Sequence, residues 1–389
     1  MEKIAFIIND TFVYWSQIIL MLAAVAAAAF YGAFYIKKGG GFFAYAASLL
    51  LTTVVGVPLS RLVDWYCNEG AYESFQVAMT DYTQGSYALI GIFVAAFGVA
   101  CLLRLLQISD SLPQMLDCMA LGGSIGIAVG RLSSMFNGTG WGVILPDEVG
   151  FPVTYPVENA VSGAMENRLS IFMIQSALAA AVAALLMLYM LWRVIRRKKL
   201  PDGEIFLLFL LFYCSCQVIC DSPRIDALFF PFNKFVRIVQ IFGLVAMLVP
   251  VVLYGVRMVR RKGFRWPHVI PWVLILGALG MAGYMEYYVQ RNGHMALRAY
   301  TIMTASMLVV ILMALIMRFI GSLPVKATPA AAPAEAIPLE ALLGTPVEKP
   351  ASAEEETSAE APAEKAEEVP AEVSAEEPAA EAETPAEQK

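Results

Sequence analysis

Four arginines and one aspartate interrupt or border long apolar runs. Arg61 ends the run Gly56-Val57-Pro58-Leu59-Ser60, and Arg131 follows the glycine-rich stretch Gly122-Gly123-Ser124-Ile125-Gly126. Gln217, Asp221 and Arg224 are spaced four and three apart, so a helix through them would put all three on one face. Arg237 and Gln240 stand three apart at the start of another run. Charges in such surroundings are costly and usually face a cavity or a partner. Arg61, Arg131, Arg224 and Arg237 against Asp221 make a net positive set. A guanidinium fork matches phosphate oxygens, so the chemistry open to this set is recognition of a phosphate group. The plainer alternative is arginines snorkelling to the membrane interface.

Other residue types carry less. Cys216 and Cys220 share a helical face, but Cys214 turns away and no fourth ligand is evident, so no metal site is expected. His268 and His294 are the only histidines, and Cys67 is a lone thiol. Gly122, Gly123 and Gly126 lack the Lys-Ser/Thr of a phosphate loop and fit close helix packing instead.

The elements that position these residues are membrane spans. Of 389 residues 59% are hydrophobic and 15% charged, far below the charge of a soluble domain. A spanning helix needs about 20 mostly apolar residues. Runs of that kind occupy 11–36, 39–60, 82–103, 169–192, 205–220, 238–256, 269–285 and 299–317, with a weaker, glycine-rich one at 111–130. The expectation is an all-α polytopic helical bundle of nine spans. Basic residues cluster at 37–38, 193–199 and 257–265, with Arg104, Arg318 and Lys326 on the same side. The positive-inside rule then puts the N-terminus outside and the C-terminus in the cytoplasm. The signs alternate only if 111–130 is a span. The net charge of −6 hides two regions: 16 of the 33 acidic residues and 4 of the 27 basic ones follow residue 320. The body before that point is mildly basic and suits anionic lipid, with no sign of nucleic-acid binding. The Ala/Glu/Pro-rich tail at 327–389 cannot bury enough apolar surface to order itself and reads as disordered.

One stretch is recognisable. Gly130-Arg131-Leu132-Ser133-Ser134-Met135-Phe136-Asn137-Gly138-Thr139-Gly140-Trp141-Gly142 resembles the G-R-I-G-N-F-I-N-G-E-L-W-G signature of the prolipoprotein diacylglyceryl transferase family. Gly130-Arg131, Asn137-Gly138 and Trp141-Gly142 match in register. Further segments fall in family order. Ser60-Arg61-Leu62 resembles the A-R-L stretch of the second span, and 84–91 sits where the family has G-G-x-x-x-H-G-G. Residues 217–224 are similar to R-x-x-x-E-x-x-R, with Gln240 near the G-Q motif. The resemblance covers roughly residues 12–260, so the chain divides into a seven-span family-like domain at 1–262, two additional helices at 263–326 and the tail.

The resemblance implies a transferase of the bacterial cytoplasmic membrane. It would move the diacylglyceryl group of phosphatidylglycerol to the lipobox cysteine of a preprolipoprotein signal peptide, without metal or cofactor. The residues it implies for catalysis are Arg131, Asp221 and Arg224. Those implied for substrate binding are Arg61, Asn137, Gly138, Trp141, Gln217 and Gln240, with Arg131 and Arg61 on the lipid phosphate; Arg237, three residues before Gln240, joins them by its place at the start of the span. The chain departs from the pattern at Leu89, where the family has histidine, at Ser134 for asparagine, Thr139 for glutamate, Gln217 for arginine and Asp221 for glutamate. These departures keep open a paralogue that binds lipid or signal peptide without turnover. A small-molecule transporter is the third reading, and no inverted repeat supports it.

Overall fold

The computed structural model describes residues 4–323 apart from 9–10, 69, 71, 81–86, 147, 160–161, 198–200, 233–234 and 293–295. In chain order a hairpin of β1 (Ile4–Ile8) and β2 (Thr11–Tyr14) leads into α1 (Trp15–Lys37) and α2 (Phe42–Cys67). Short α3 (Phe75–Thr80) and then α4 (Leu89–Leu105) follow. α5 (Leu112–Gly130) passes through a 3-10 turn, Arg131–Ser133, into α6 (Ser134–Asn137). Next come β3 (Trp141–Ile144), β4 (Thr154–Glu158), β5 (Met165–Ser170) and α7 (Ile171–Ile195). α8 (Glu204–Phe209) joins α9 (Ser215–Asp221) through a π-helical stretch, Leu210–Cys214. α10 (Ile238–Lys262), α11 (Val269–Asn292) and α12 (Ala296–Ser322) complete the bundle. The acidic tail lies outside the described residues.

In lipid each backbone polar group must be satisfied internally, so an apolar chain crosses as helices. Among the described residues eight helical segments are long and apolar enough to do so. α4 is the ninth and shorter: its 17 residues extend roughly 25 Å, at the lower limit for a span. It starts at Leu89 because Ala88 is tied to α2, where the Ser60 hydroxyl donates to the Ala88 carbonyl at 2.7 Å. The first span begins at Trp15 and not at residue 11, because 11–14 pair with 4–8 in the hairpin. The weak 111–130 run is a full helix whose N-cap is Ser111.

Close approach, not bulk, packs α5. A Cβ on Gly122 would sit 2.5 Å from the Ala27 carbonyl oxygen, and one on Gly126 would sit 2.7 Å from the Ala27 Cβ. Small residues thus let α1 and α5 touch backbone to backbone, as the glycine run led us to expect. The centre of the bundle is the α8–α9 rod, whose Ile205, Leu208, Phe209, Leu211 and Tyr213 are buried among α5, α7, α10 and α12. Its start is held by Asp117 of α5, which accepts from the Gly203 and Phe206 N–H groups at 2.9 Å each and so satisfies donors that a helix end leaves free.

The two helices beyond residue 262 belong to the same compact unit as the rest of the described chain. α12 packs on α10 and α9, and α11 packs on α12. At the basic end of the bundle Glu204 accepts from Arg318 of α12, from Arg257 at 3.4 Å and from the Tyr254 hydroxyl at 3.3 Å. At the opposite end β3, β5 and β4 form an antiparallel sheet in that order, with Tyr155 opposite Arg168 and Val157 opposite Glu166. Hydropathy does not register this sheet, since its strands are only four to six residues long.

Candidate active site

The residues from Gly130 to Gly142 run from the end of α5 into the sheet. Gly138 and Gly140 have φ of +70° and +75°, a left-handed backbone that side chains with a Cβ rarely adopt. Between them Asn137 Oδ1 accepts from the Thr139 hydroxyl at 2.7 Å and from its N–H at 3.3 Å. The Thr139 hydroxyl also meets that of Ser134, 3.1 Å away. Ser134 and Thr139, which stand where the signature has asparagine and glutamate, are therefore bonded to each other. Trp141 is buried edge-on to Phe172 at 5.1 Å, with Tyr155 also 5.1 Å away; each such aromatic pair adds about 0.5–1.5 kcal/mol. Asn137, Gly138 and Trp141 thus shape the loop. A shallow pocket of about 220 Å³ lies outside it, lined in part by Gly138, Trp141, Arg168 and Asp226.

Beneath the loop Arg131 is half-buried, and its Nε has no hydrogen-bond partner. Its guanidinium lies within electrostatic reach of Tyr213, Cys220 and Asp221. The π-helical stretch brings Tyr213 there, stacked on Phe209 at 5.2 Å, with its buried hydroxyl beside the Arg131 guanidinium. Asp221 is fully buried; Oδ1 is 3.5 Å from Arg224 Nη1, and Oδ2 has no partner.

Sequence spacing put Gln217, Asp221 and Arg224 on one helical face. The structure corrects this: α9 ends at Asp221 and Arg224 lies in the turn beyond. Arg224 is gripped from two sides. Its Nη2 is 2.7 Å and its Nε 3.2 Å from the two oxygens of Asp226, opposite its contact with Asp221. Asp226 Oδ2 also accepts from the Gly140 N–H at 2.8 Å. This clasp ties the signature loop to the end of α9. Burial works against the Asp226 carboxylate, but the Arg224 guanidinium and the Gly140 N–H outweigh it and hold it below the usual carboxylate range. Sequence reasoning missed Asp226; the signal was a second acid two residues after Arg224.

The remaining candidates divide. Gln217 is buried and accepts from Gln175 of α7 at 3.1 Å, so a neutral pair fills the family's arginine position. Gln240 donates to the Val218 carbonyl at 3.2 Å and braces α10 on α9. Arg237 donates to the carbonyls of Asp221 and Ser222 and lies over the Phe229 ring at 5.3 Å. Arg61 has a separate setting under α3: it is 1% exposed, donates to the Ala78 carbonyl at 3.0 Å and stands 5.2 and 5.3 Å from the Tyr72 and Tyr87 rings. Nearby Asp64 accepts from the Tyr72 hydroxyl. Leu89, at the family's histidine position, packs against the apolar core. The set is not net positive, as the sequence led us to expect. Asp226 and Glu286 join Asp221, so three carboxylates face Arg131, Arg224 and Arg237. Among the described residues no group of three His, Cys, Asp or Glu is placed to hold a metal.

The model of the family described as prolipoprotein diacylglyceryl transferase matches residues 3–256. The chain belongs to this family. The match takes in the signature loop, the Asp221–Arg224 turn and Gln240. It ends before α11 and α12. No curated protein matches the chain. Membership makes the chain a member of a transferase family of lipoprotein biosynthesis, built here as a multi-pass helical membrane protein.

Proposed function

We propose that the chain transfers the diacylglyceryl group of phosphatidylglycerol to the lipobox cysteine of prolipoproteins, at the site beneath the signature loop. The observation that carries this is Arg131, half-buried with an unpartnered Nε, beside two arginines already committed to other groups. Arg224 is occupied by Asp221 and Asp226, and Arg237 by two carbonyls. Arg131 therefore keeps an uncommitted Nε, and its guanidinium is the one we assign to the phosphate. In the reaction the cysteine sulfur attacks the glyceryl carbon that bears the phosphate. The S–C bond forms, the C–O bond to phosphate breaks, and glycerol phosphate leaves with the extra negative charge. Arg131 stabilises that charge as it develops. Asp221 keeps one oxygen on Arg224, and its free Oδ2 accepts the thiol proton. Tyr213 presents its hydroxyl to the same space. Arg61 supports the lipid from its aromatic box, while Asn137, Gly138 and Trp141 hold the lip and Gln217 and Gln240 the inner wall.

The assay is transfer from phosphatidylglycerol vesicles to a lipobox peptide by the purified full chain, together with complementation of a strain depleted of its own enzyme. Thioether formation is the expected result. Gln217→Arg restores the family's residue and should raise the rate. Absence of transfer by the unmodified chain would leave the second reading, a family member that binds lipid or signal peptide without turnover; the apolar Leu89 at the histidine position favours it.

The division we assign is a family domain at 1–262, two added helices at 263–326 and the tail at 327–389. The orientation is N-terminus outside and C-terminus inside, in a bacterial cytoplasmic membrane. Its support is that Lys37, Arg104, Arg193, Arg257, Arg260 and Arg318 fall at the end of the bundle away from the sheet, as the positive-inside rule requires of the cytoplasmic face. A reporter fused after Lys326 should behave as cytoplasmic and one within 68–82 as extracytoplasmic. Reversed signals would put the site on the wrong face for an exported precursor.

A further inference from the structure

The helices beyond the family match reach the site. Arg237, at the start of α10, is 8% exposed and holds the carbonyls of Asp221 and Ser222. Those two residues form the turn from which Arg224 projects. One side of the Arg237 guanidinium is thus spent on the turn. On the other side its Nε has no hydrogen-bond partner, and Glu286 Oε1 of α11 stands 4.0 Å away. Glu286 is itself oriented, since Gln290 one helical turn later donates to Oε1 at 2.6 Å. Its other oxygen, Oε2, is buried and without a partner. Tyr300 of α12 lies beside the same three residues, Ser222, Arg237 and Glu286. A cation and an anion, each with one buried atom lacking a hydrogen-bond partner, therefore face each other across the junction of α10 with the added helices.

We propose that Glu286 is a positioning residue for transfer: it holds the Arg237 guanidinium against the Asp221–Ser222 carbonyls, and so holds the turn that presents Asp221 and Arg224. The α11–α12 hairpin is then a working part of the site. The physical reason is that a buried guanidinium without a counter-charge moves toward water or another partner, and a small displacement of a supporting group is transmitted to the reacting geometry. The proposal rests on the transfer assignment above, and its test has one arm that does not.

In the full chain, Glu286→Ala should lower kcat about tenfold while leaving the KM for phosphatidylglycerol nearly unchanged, because the turn and not the lipid contact is loosened. Glu286→Asp should recover most of the rate and Glu286→Gln should not. An unchanged kcat in Glu286→Ala would overturn the proposal. So would a loss matched by a fall in Tm that Glu286→Asp fails to rescue. The second arm is modification of Arg237 by phenylglyoxal, read by peptide mass mapping in detergent. Arg237 should react slowly in the unmodified chain and severalfold faster in Glu286→Ala. Equal reactivity in the two proteins overturns the positioning role whether or not the chain turns over. Faster reactivity in a chain without transfer upholds it and removes only the transfer assignment.

Discussion

Replacing Arg131 by alanine is expected to abolish measurable transfer, a loss of about 10³-fold or more, with membrane insertion intact. The size follows from the role: removing one group that stabilises developing charge costs about 10²–10³ in kcat, and removing a full guanidinium from a transferring phosphate costs more. Arg224 and Arg237 cannot take over, since each is bound to protein acceptors that it would have to leave. Arg131→Lys separates phosphate binding from snorkelling. Lysine keeps the charge but loses the planar fork, so a phosphate binder stays impaired while a snorkelling residue is replaced almost freely. The measurement is initial rate against a lipobox peptide, beside a protease-protection assay for insertion. Wild-type rates in both variants would remove Arg131 from the site.

Asp226→Ala should produce the second-largest loss, between about 10- and 100-fold in kcat. The substitution does two things at once. Arg224 loses its bidentate partner and keeps the 3.5 Å contact with Asp221. The Gly140 N–H loses its acceptor, which frees the signature loop from the end of α9. Asp226→Asn preserves shape and an acceptor for Gly140 but not the charge, so it should fall between Asp226→Ala and the unmodified chain. A transfer rate unchanged in both would show that the clasp is not needed for catalysis. The pH dependence follows from the direction of the shift. Asp226 is held below the usual carboxylate range in the folded protein. Its stabilisation is therefore complete above the unfolded value of about 4 and is lost as pH falls through the lower folded one. Between pH 5 and 8 the clasp should contribute no pH dependence to Tm. A Tm that titrates in that window and is flattened by Asp226→Asn would contradict it.

How much of this was legible beforehand depends on the range of the interaction concerned. Hydropathy and charge are local sums, so they placed the spans, including the weak 111–130 helix that closes the charge alternation. The spacing within Gly130–Gly142 is also local, and the resemblance it carries agrees with the family match over 3–256. Glycine without a Cβ at 122 and 126 announced close packing before any partner helix was known. Boundaries failed where tertiary contacts set them: α1 starts late because of a hairpin partner, and α4 because Ser60 holds Ala88. The site's charge balance failed for the same reason. A count along the chain saw four arginines and one acid, since it left out Asp226, two residues after Arg224, and Glu286 lies 65 positions after Asp221. Which arginine is free is a question of who else is within 4 Å, and sequence order does not carry that distance. Composition and spacing therefore determined a multi-span membrane protein with arginines at the borders of its spans. Folding decided that Arg224 and Arg237 are tied to carboxylates and carbonyls, that Arg61 sits in its own aromatic box, and that Arg131 keeps its Nε unpartnered, because desolvated charges settle on whatever partners packing brings within reach.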